Sequence, residues 1–328
     1  MVDPLPVERF STPTEDERFE RASTLPRQLG LWSAIAVLVG STIGSGIFRS
    51  PASLADKLPG PVPLLAIWLT GGLFALCGAL TLAEVASALP RTGGVYVFIR
   101  ESWGRLPAFL FGWSELVIIR AAALGATATT FSEYLLRALG HDPRVVPYSG
   151  YVHLIAAAAI VFTATFNYVG LRWGSLIQNI TTLGKTGALI LIIVLALSLG
   201  LTRTGGHFTP AFPEGSFSFA RFGLALVSVL WVYDGWADVS FVGGEVRDGE
   251  RNLPRVLIYG TLIIIGLYLL ANAAYLAVLP IDQIRQSKLV AADVAETLMG
   301  APGVAFVSVA VMVSTFGTLN GSVMISSM

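Results

Sequence analysis

The stretch VGSTIGSGIFRSP, residues 39–51, places glycines and hydroxyl side chains in the middle of an apolar run. At its centre, Gly44, Ser45 and Gly46 disfavour continuous helix. A half-helix that starts after such a break directs its free N–H groups and the positive end of its dipole at one point. An anion such as a carboxylate suits that point. The alternative is that these small residues only let two helices pack closely.

A second stretch, LWVYDGWADVSFVGGE at residues 230–245, repeats this pattern with Asp234 and Gly235 at its centre. If the helix unwinds there, its free carbonyl groups accept hydrogen bonds from an ammonium group. The matching second cluster favours two broken helices over simple close packing. A carboxylate site and an ammonium site together describe a zwitterionic amino acid. The carbonyl groups concerned are those near Trp231, Val232 and Tyr233.

Asp234 is costly at membrane depth unless it has a partner or faces water. Three roles remain open for it: N-cap of the second half-helix, contact with a cationic amino group of a ligand, or proton uptake.

The elements that position these residues are membrane-spanning helices. Apolar residues make up 54% of the chain, charged residues 13%, and the mean hydropathy is +0.71, whereas soluble domains carry roughly 25% charged residues. A bilayer core requires about 20 apolar residues per helix. Eight runs qualify as spans 1 to 8, at residues 31–56, 62–88, 106–137, 151–169, 174–201, 221–244, 256–279 and 302–328.

The two interruptions fall in spans 1 and 6. Non-helical backbone survives at this depth only where protein or a cavity covers it. Interruptions at corresponding positions of two halves are typical of transporters built from inverted repeats, with the substrate near the midplane.

Charge sets the expected orientation and excludes several classes of protein. With a cytoplasmic amino terminus, the inside segments hold eleven Lys and Arg residues and the outside segments seven. Residues 1–29 are charged without an apolar core, so we expect a disordered cytoplasmic tail and no signal peptide. Zero net charge argues against nucleic-acid binding, and Cys77 is the only cysteine. The absence of HExxH and GxSxG motifs gives no basis for an enzyme, metal site or cofactor.

Three further cations lie within the spans. Arg49 follows the first break, where it either snorkels to an outer vestibule or attracts an anionic group. Arg120, in span 3, requires a partner, for which Asp234 and Glu115 are the candidates. Lys185, in span 5, is expensive unless it meets carbonyl groups or a carboxylate; snorkelling to the surface is the alternative.

Four motifs, in order, resemble the amino acid/polyamine/organocation (APC) superfamily, especially its L-type amino acid transporter-like branch. They are GSTIGSGIF in span 1, ALPRTGGVYVFIRESWG after span 2, YDGW with GGEVRDGERNLPR in and after span 6, and FGTLNG in span 8. The resemblance implies the all-α fold of the bacterial leucine transporter, with two inverted five-helix repeats. Residues 30–205 would form the first repeat and 206–328 an incomplete second one.

The resemblance also implies roles for individual residues. Backbone amides of Gly44, Ser45 and Gly46 would bind the substrate carboxylate. The Trp231 side chain would cover the bound substrate, unless it packs internally or faces lipid. The amino group would be held by carbonyls around Thr42 and Ile43, together with those of Trp231, Val232 and Gly235.

In sodium-independent members of this family, a lysine at the place of Lys185 lies where sodium-coupled relatives bind their cation, bridging spans 1, 5 and 8. We therefore expect no sodium dependence. If Lys185 exchanges protons, the protein would be a proton symporter; a permanently charged lysine would suit an obligate exchanger.

We therefore predict secondary active transport of amino acids by alternating access, with neutral amino acids as substrates. Asp234 keeps cationic amino acids and polyamines as alternatives. A sensor or binding subunit of the same fold, which binds without translocating, and an ion channel are the rivals from other classes. Since members of the superfamily usually have twelve spans, we expect a chain truncated within span 8; an accessory subunit and the oligomeric state are left open.

Overall fold

The computed structural model describes residues 29–89, 93–169 and 171–326. The predicted cytoplasmic tail, apart from residue 29, lies outside the described residues. Within them the chain is helical except for connections and one isolated parallel bridge. In the described part of the chain, seven helices are long and apolar enough to cross a membrane, and a bent pair of helices, counted as one span, makes eight. The eight predicted spans are therefore confirmed.

The first half of the chain forms spans 1 to 5. Its helices are α1 (Leu31–Thr42), α2 (Gly46–Lys57), α3 (Pro61–Ala88), α4 (Gly94–Trp103), α5 (Arg105–Ser114), α6 (Arg120–Ala138), α7 (Tyr148–Val169), α8 (Leu171–Leu195) and α9 (Leu201–Thr204). Span 1 is the bent pair of α1 and α2, which meet at 48°. Two π-helical turns, Glu115–Ile119 and Ala196–Gly200, continue α5 into α6 and α8 into α9, so spans 3 and 5 are each continuous.

The second half forms spans 6 to 8. It contains α10 (Phe219–Tyr233), a 3-10 helix (Trp236–Glu245), α11 (Gly249–Val278), α12 (Ile281–Gln286), α13 (Val290–Met299) and α14 (Ala301–Ser326). Span 6 is α10 followed by the 3-10 helix, so spans 1 and 6 are both discontinuous, as predicted. Short helices α12 and α13 join spans 7 and 8, and α12 packs on α2.

The spans pack as two groups. In the α11 group, α11 contacts α1 and α3, and α10 contacts α2 and α3. In the α14 group, α14 contacts α6, α7 and α8. Span 5 belongs to both groups, since α8 and the π-helical turn after it also contact α11. Buried residues of the α11 group dominate the main apolar core, whereas Ala128, Ala156, Ala159 and Leu319 form a smaller core inside the α14 group. Small residues permit the close approach of helices; a Cβ atom on Gly72 of α3 would lie 2.7 Å from Ile265 of α11.

Spans 1 and 6 run in opposite directions. Span 1 begins at the amino-terminal face of the membrane, and span 6 ends there. At this face a main-chain clasp joins them: the Leu29 N–H donates to the Glu245 carbonyl and the Arg247 N–H donates to the Leu29 carbonyl, each at 2.9 Å. The other halves of both spans therefore point to the opposite face.

Candidate functional site

The break in span 1 covers residues 43–45. Ile43 ends α1 in an extended conformation (φ −72°, ψ 91°), and Gly46 begins α2. The unwinding predicted at Gly44 and Ser45 is confirmed, while Gly46 is the first helical residue beyond it. Among the described residues, the N–H groups of Gly44, Ser45 and Gly46 have no hydrogen-bond acceptor. Three donors are thus available at the start of a half-helix.

The break in span 6 is at Asp234 and Gly235. Asp234 ends α10 with an extended ψ of 146°, and Gly235 has a φ of +112°. The prediction that Asp234 is the N-cap of the second half-helix is wrong: Gly235 occupies that position, without a side-chain cap. The reason is the left-handed backbone, which glycine adopts without the steric cost that other residues meet.

The two breaks touch each other at the same depth. A Cβ atom on Gly235 would lie 3.0 Å from Thr42 Cα and 3.1 Å from the Ser41 carbonyl oxygen. A Cβ atom on Gly46 would lie 2.8 Å from a methyl carbon of Val232. The absence of side chains at these two glycines therefore permits the contact between the half-helices.

Tyr268 of α11, which the sequence did not single out, joins the two breaks. Its buried hydroxyl lies 2.8 Å from the Thr42 carbonyl oxygen and 3.3 Å from that of Val232, and donates to both. These carbonyls belong to the last turns of α1 and α10, where helical partners are missing. The hydroxyl thus caps both half-helices at once. A tyrosine inside an apolar run gives no sequence signal of this role.

Tyr233 packs beside Tyr268 and Trp68. The ring centroids of Tyr233 and Tyr268 are 5.1 Å apart, and those of Trp68 and Tyr268 are 5.6 Å apart. The Tyr233 hydroxyl donates to the Trp68 carbonyl at 3.0 Å. Its side chain therefore belongs to the packing that supports the breaks.

The side chains of Trp231 and Asp234 line a cavity of about 430 Å³ between α3, span 3 and span 6. None of residues 42–46 lines this cavity. The structure therefore brings Val232 and Gly235 to the span 1 break and turns Trp231 and Asp234 to its other side. The remaining lining residues are Phe74, Ala75, Ile119, Leu230, Tyr233 and Trp236.

Lys185 is fully buried, so it does not snorkel to the surface. Its Nζ donates to Thr318 Oγ1 at 3.2 Å, and that hydroxyl donates to the Ser314 carbonyl at 3.1 Å. A Cβ atom on Gly44 would lie 3.9 Å from the Thr318 methyl carbon. Lys185 therefore links spans 5 and 8 directly, and Thr318 places this link next to the span 1 break. Thr318 lies in the FGTLNG motif, but the sequence did not identify it as the lysine's partner.

Arg120 pairs with two carboxylates. Its Nε lies 2.8 Å from Glu115 Oε1, which confirms Glu115, one of the two predicted partners. A terminal guanidinium nitrogen lies 2.7 Å from Asp238 Oδ1. The prediction that Asp234 is the direct partner of Arg120 is wrong, because the 3-10 helix places the Asp238 carboxylate next to Arg120 instead. The π-helical turn brings residues five apart together, and in it the Arg120 N–H bonds the Glu115 carbonyl.

Arg49 forms an ion pair that the sequence did not predict. Its guanidinium lies 3.3 Å from Glu133 Oε1 and 3.5 Å from Thr130 Oγ1, both on α6. The Arg49 side chain remains 42% exposed, but the Glu133 side chain is 9% exposed. Arg49 is thus partly exposed and also paired inside the protein, a contact that neither of the two predicted alternatives included.

These features define a multi-pass all-α membrane protein with two discontinuous spans in contact at their breaks. The sequence profile of the family described as Amino acid permease matches residues 29–328, and the chain belongs to this family. It is 34% identical over 305 residues to the human (Homo sapiens) b(0,+)-type amino acid transporter 1, covering 92% of this chain and 61% of that protein.

Two further relatives have similar coverage. The Serine/threonine exchanger SteT of Bacillus subtilis (strain 168) is 34% identical over 301 residues, which is 92% of this chain and 66% of SteT. The Large neutral amino acids transporter small subunit 2 of Oryctolagus cuniculus is 31% identical over 326 residues, which is 96% of this chain and 60% of that protein. The chain thus spans less than two thirds of the length of these relatives.

Proposed function

We propose that the full-length protein is a secondary active transporter that moves amino acids across the membrane by alternating access. The observation that carries this proposal is the contact between two broken spans, with three unpaired amides on one side of it and the carbonyl ends of two half-helices on the other. The relatives described above are named as amino acid transporters or exchangers, which supports the same function.

The substrate carboxylate binds the N–H groups of Gly44, Ser45 and Gly46, where the α2 dipole favours negative charge. The ammonium group binds carbonyls of Thr42, Ile43, Trp231, Val232 and Gly235. The carbonyls of Thr42 and Val232 already accept from Tyr268, but each carbonyl oxygen has two lone pairs and can accept a second bond. The Trp231 and Asp234 side chains, with the backbone of Tyr233, shape the adjacent cavity.

Lys185 is the coupling residue of this proposal. A buried ammonium next to the span 1 break supplies a fixed positive charge, so transport does not require sodium. The mode is exchange or proton-coupled uptake. Lys185→Ala removes this charge and is expected to reduce coupled transport at least tenfold. Gly187→Ala, on the same helix, is the control, because nothing lies within 4 Å of its added methyl group. Transport by Lys185→Ala at the wild-type rate would contradict the coupling role.

Neutral amino acids are the proposed substrates, since one carboxylate and one ammonium site account for the whole zwitterion. The names Serine/threonine exchanger and Large neutral amino acids transporter agree with this choice. Cationic amino acids are a second candidate, because Asp234 lines the cavity while Arg120 is already paired with Glu115 and Asp238. Competition by arginine that Asp234→Asn abolishes would favour the second candidate.

The proposed orientation places the amino-terminal face in the cytoplasm, as the distribution of Lys and Arg favours. We also propose that residues 30–205 form one repeat and that 206–328 belong to the second, inverted one. The opposite directions of spans 1 and 6 support this division.

Counterflow in proteoliposomes tests the proposed function. Purified full-length protein is reconstituted into vesicles loaded with one of the twenty amino acids, and uptake of labelled amino acid is followed with and without sodium at several pH values. We expect saturable accumulation of neutral amino acids that does not depend on sodium. Binding without accumulation would show a sensor, and an ohmic current without saturation would show a channel.

A further inference from the structure

Span 3 contacts the broken spans of the α11 group through side chains more than through close helix packing. Among the described elements, α6 packs extensively only on its preceding π-helical turn, on α7 and on α14. Its links to the broken spans of the α11 group are instead made by side chains: the Tyr134 hydroxyl donates to the Phe48 carbonyl of α2 at 3.5 Å, and two ion pairs supply the charged contacts. One ion pair is Arg49 of α2 with Glu133, and the other is Arg120 with Asp238 of the 3-10 helix.

The two ion pairs are related by the inverted directions of the broken spans. Arg49 lies three residues after Gly46, and Asp238 lies three residues after Gly235, so each is in the first turn beyond a break. Since α2 runs to the opposite face and the 3-10 helix to the amino-terminal face, the pairs lie in different halves of the membrane. On α6, Arg120 and Glu133 are thirteen residues apart, which is about 20 Å along a helix.

The polarity of the two pairs is also reversed. On the opposite-face side, the α11 group supplies the cation and span 3 the anion; on the amino-terminal side, the α11 group supplies the anion and span 3 the cation. Glu115 makes a second bond to Arg120, and Thr130 makes a second bond to Arg49. Glu115 thus holds Arg120 on span 3, so Asp238 is the partner that leaves. In the other pair Arg49 is the partner that leaves, and it gives up both Glu133 and Thr130.

We propose that span 3 carries two ion-pair latches, Arg49–Glu133 and Arg120–Asp238, each of which holds one face of the transporter closed. The inference rests on the proposed function, because alternating access requires the faces to open in turn. Opening the opposite face separates α2 from α6 and breaks Arg49–Glu133 while Arg120–Asp238 stays formed. Opening the amino-terminal face does the reverse. Both latches are formed in this structure, so it is closed at both.

The latches also set the cost of opening each face. A buried charge that loses its partner is unfavourable until water reaches it. Each face therefore opens at the expense of one ion pair, while the intact pair at the other face prevents a continuous aqueous path. Neutralising one latch shifts the population of states towards opening at that face only.

Sided labelling of reporter cysteines tests this inference. The full-length protein with Cys77→Ser carries one reporter, either Ala52→Cys in α2 or Ser240→Cys in the 3-10 helix, both buried in the structure. A membrane-impermeant maleimide is added at one face of oriented proteoliposomes. Glu133→Gln is expected to raise the labelling rate at residue 52 several-fold and to lower that at residue 240. Asp238→Asn should have the opposite effect.

Asp142→Asn is the matched control. Asp142 pairs with Arg144 within one connection outside the spans, and the side-chain hydrogen bond from Arg144 lowers the pKa of Asp142 to about 2, so this pair is charged at neutral pH. Its loss breaks an ion pair without separating α6 from the α11 group. Both labelling rates should match the parent protein.

Charge-swapped pairs decide the case if a single variant fails to fold. Arg49→Glu with Glu133→Arg should restore parental labelling, and so should Arg120→Asp with Asp238→Arg when Glu115→Gln is added, because Glu115 would otherwise repel the new carboxylate at position 120. The inference is overturned if both neutral variants shift labelling at the same face, or if neither differs from Asp142→Asn. Counterflow by the parent protein is measured in the same vesicles. The expected labelling pattern without transport would contradict the proposed function but still support the two latches.

Discussion

Gly235 has a left-handed backbone conformation that other residue types adopt only at a cost in free energy. Its φ is +112°, and an added Cβ atom would press on the backbone of Thr42 and Ser41 at 3.0 to 3.1 Å. Residues forced into a sparsely populated backbone region cost roughly 1–3 kcal/mol each. A side chain at position 235 would therefore be unfavourable for two reasons, the backbone strain and the clash with Ser41 and Thr42. Neither segment can move away without separating the two breaks.

Gly235→Ala should therefore lower the melting midpoint of the purified protein by several degrees and weaken amino acid binding. Gly223→Ala, in α10, is the control, because nothing lies within 4 Å of its added methyl group. Thermal unfolding followed by intrinsic fluorescence compares the two variants. Equal midpoints for them would contradict the close approach of the two breaks.

The hydroxyl of Tyr268 is the second single-atom feature on which the site depends. Tyr268→Phe leaves the ring in place and removes the hydrogen bonds to Thr42 and Val232. A buried hydrogen bond contributes about 1 kcal/mol net. We expect a loss of stability of this size and a change in amino acid affinity, measured by calorimetry. Tyr275→Phe is the control, since its hydroxyl makes a longer contact of 3.5 Å to Ile47; identical affinities in both variants would argue against the role of Tyr268.

For single residues, the sequence was sufficient to identify those whose residue type is unusual inside a membrane span. Glycines at a break and a lysine in hydrocarbon are exceptional by residue type alone, so Gly44, Gly235 and Lys185 could be recognised. Partners are different, because they depend on the rotation of each helix about its axis. Tyr268 and Asp238 face their partners through rotations that no local pattern encodes.

At the scale of elements, the clasp at the amino-terminal face joins the two discontinuous spans through main-chain atoms. Arg247 donates its N–H to the Leu29 carbonyl, and proline has no N–H to donate. The preceding residue, Val246, is extended (φ −78°, ψ 126°), which a following proline accepts.

Arg247→Pro should therefore open the clasp without distorting its neighbour, whereas Arg247→Ala should leave it formed. Hydrogen–deuterium exchange at the Leu29 amide, which bonds the Glu245 carbonyl, measures the outcome. We expect faster exchange only in Arg247→Pro. Faster exchange in both variants would assign the effect to the arginine side chain.

The spans themselves were the most predictable elements. Bilayer thickness imposes a length on each apolar run, so the predicted boundaries agree with the helices to within a few residues in most spans. The break in span 6 was predicted, but the 3-10 form of its second half was not. Nor were the two π-helical turns, because apart from Glu115 and Ser198 their residues are glycine or apolar, as in the neighbouring helices.

For the whole molecule, the decisive property is orientation, which the charge distribution predicts and labelling can test. In a Cys77→Ser background, Glu214→Cys lies in the exposed connection before span 6, and Glu250→Cys lies at the start of span 7 on the amino-terminal face. In intact cells, a membrane-impermeant maleimide should label residue 214 directly and residue 250 only after permeabilisation. The reverse pattern would place the amino-terminal face outside.

The overall architecture followed from composition and from the two interruptions, whereas the grouping of the spans did not. Hydropathy cannot tell which helix α14 contacts, since every span is apolar on several sides. The division into an α11 group and an α14 group arises from the fit of small residues such as Gly72 and Ala128, and this fit is a property of the assembled helices.

The Tyr268 phenol has a single proton to share between two acceptors. The hydrogen bond to the Thr42 carbonyl is shorter and therefore the stronger of the two. The weaker bond, to the Val232 carbonyl, is the one that breaks first. An incoming ammonium group competes for that oxygen with up to three protons of its own. Substrate binding and the separation of α10 from α1 are thereby coupled, because both involve the hydrogen bond between the Tyr268 hydroxyl and the Val232 carbonyl.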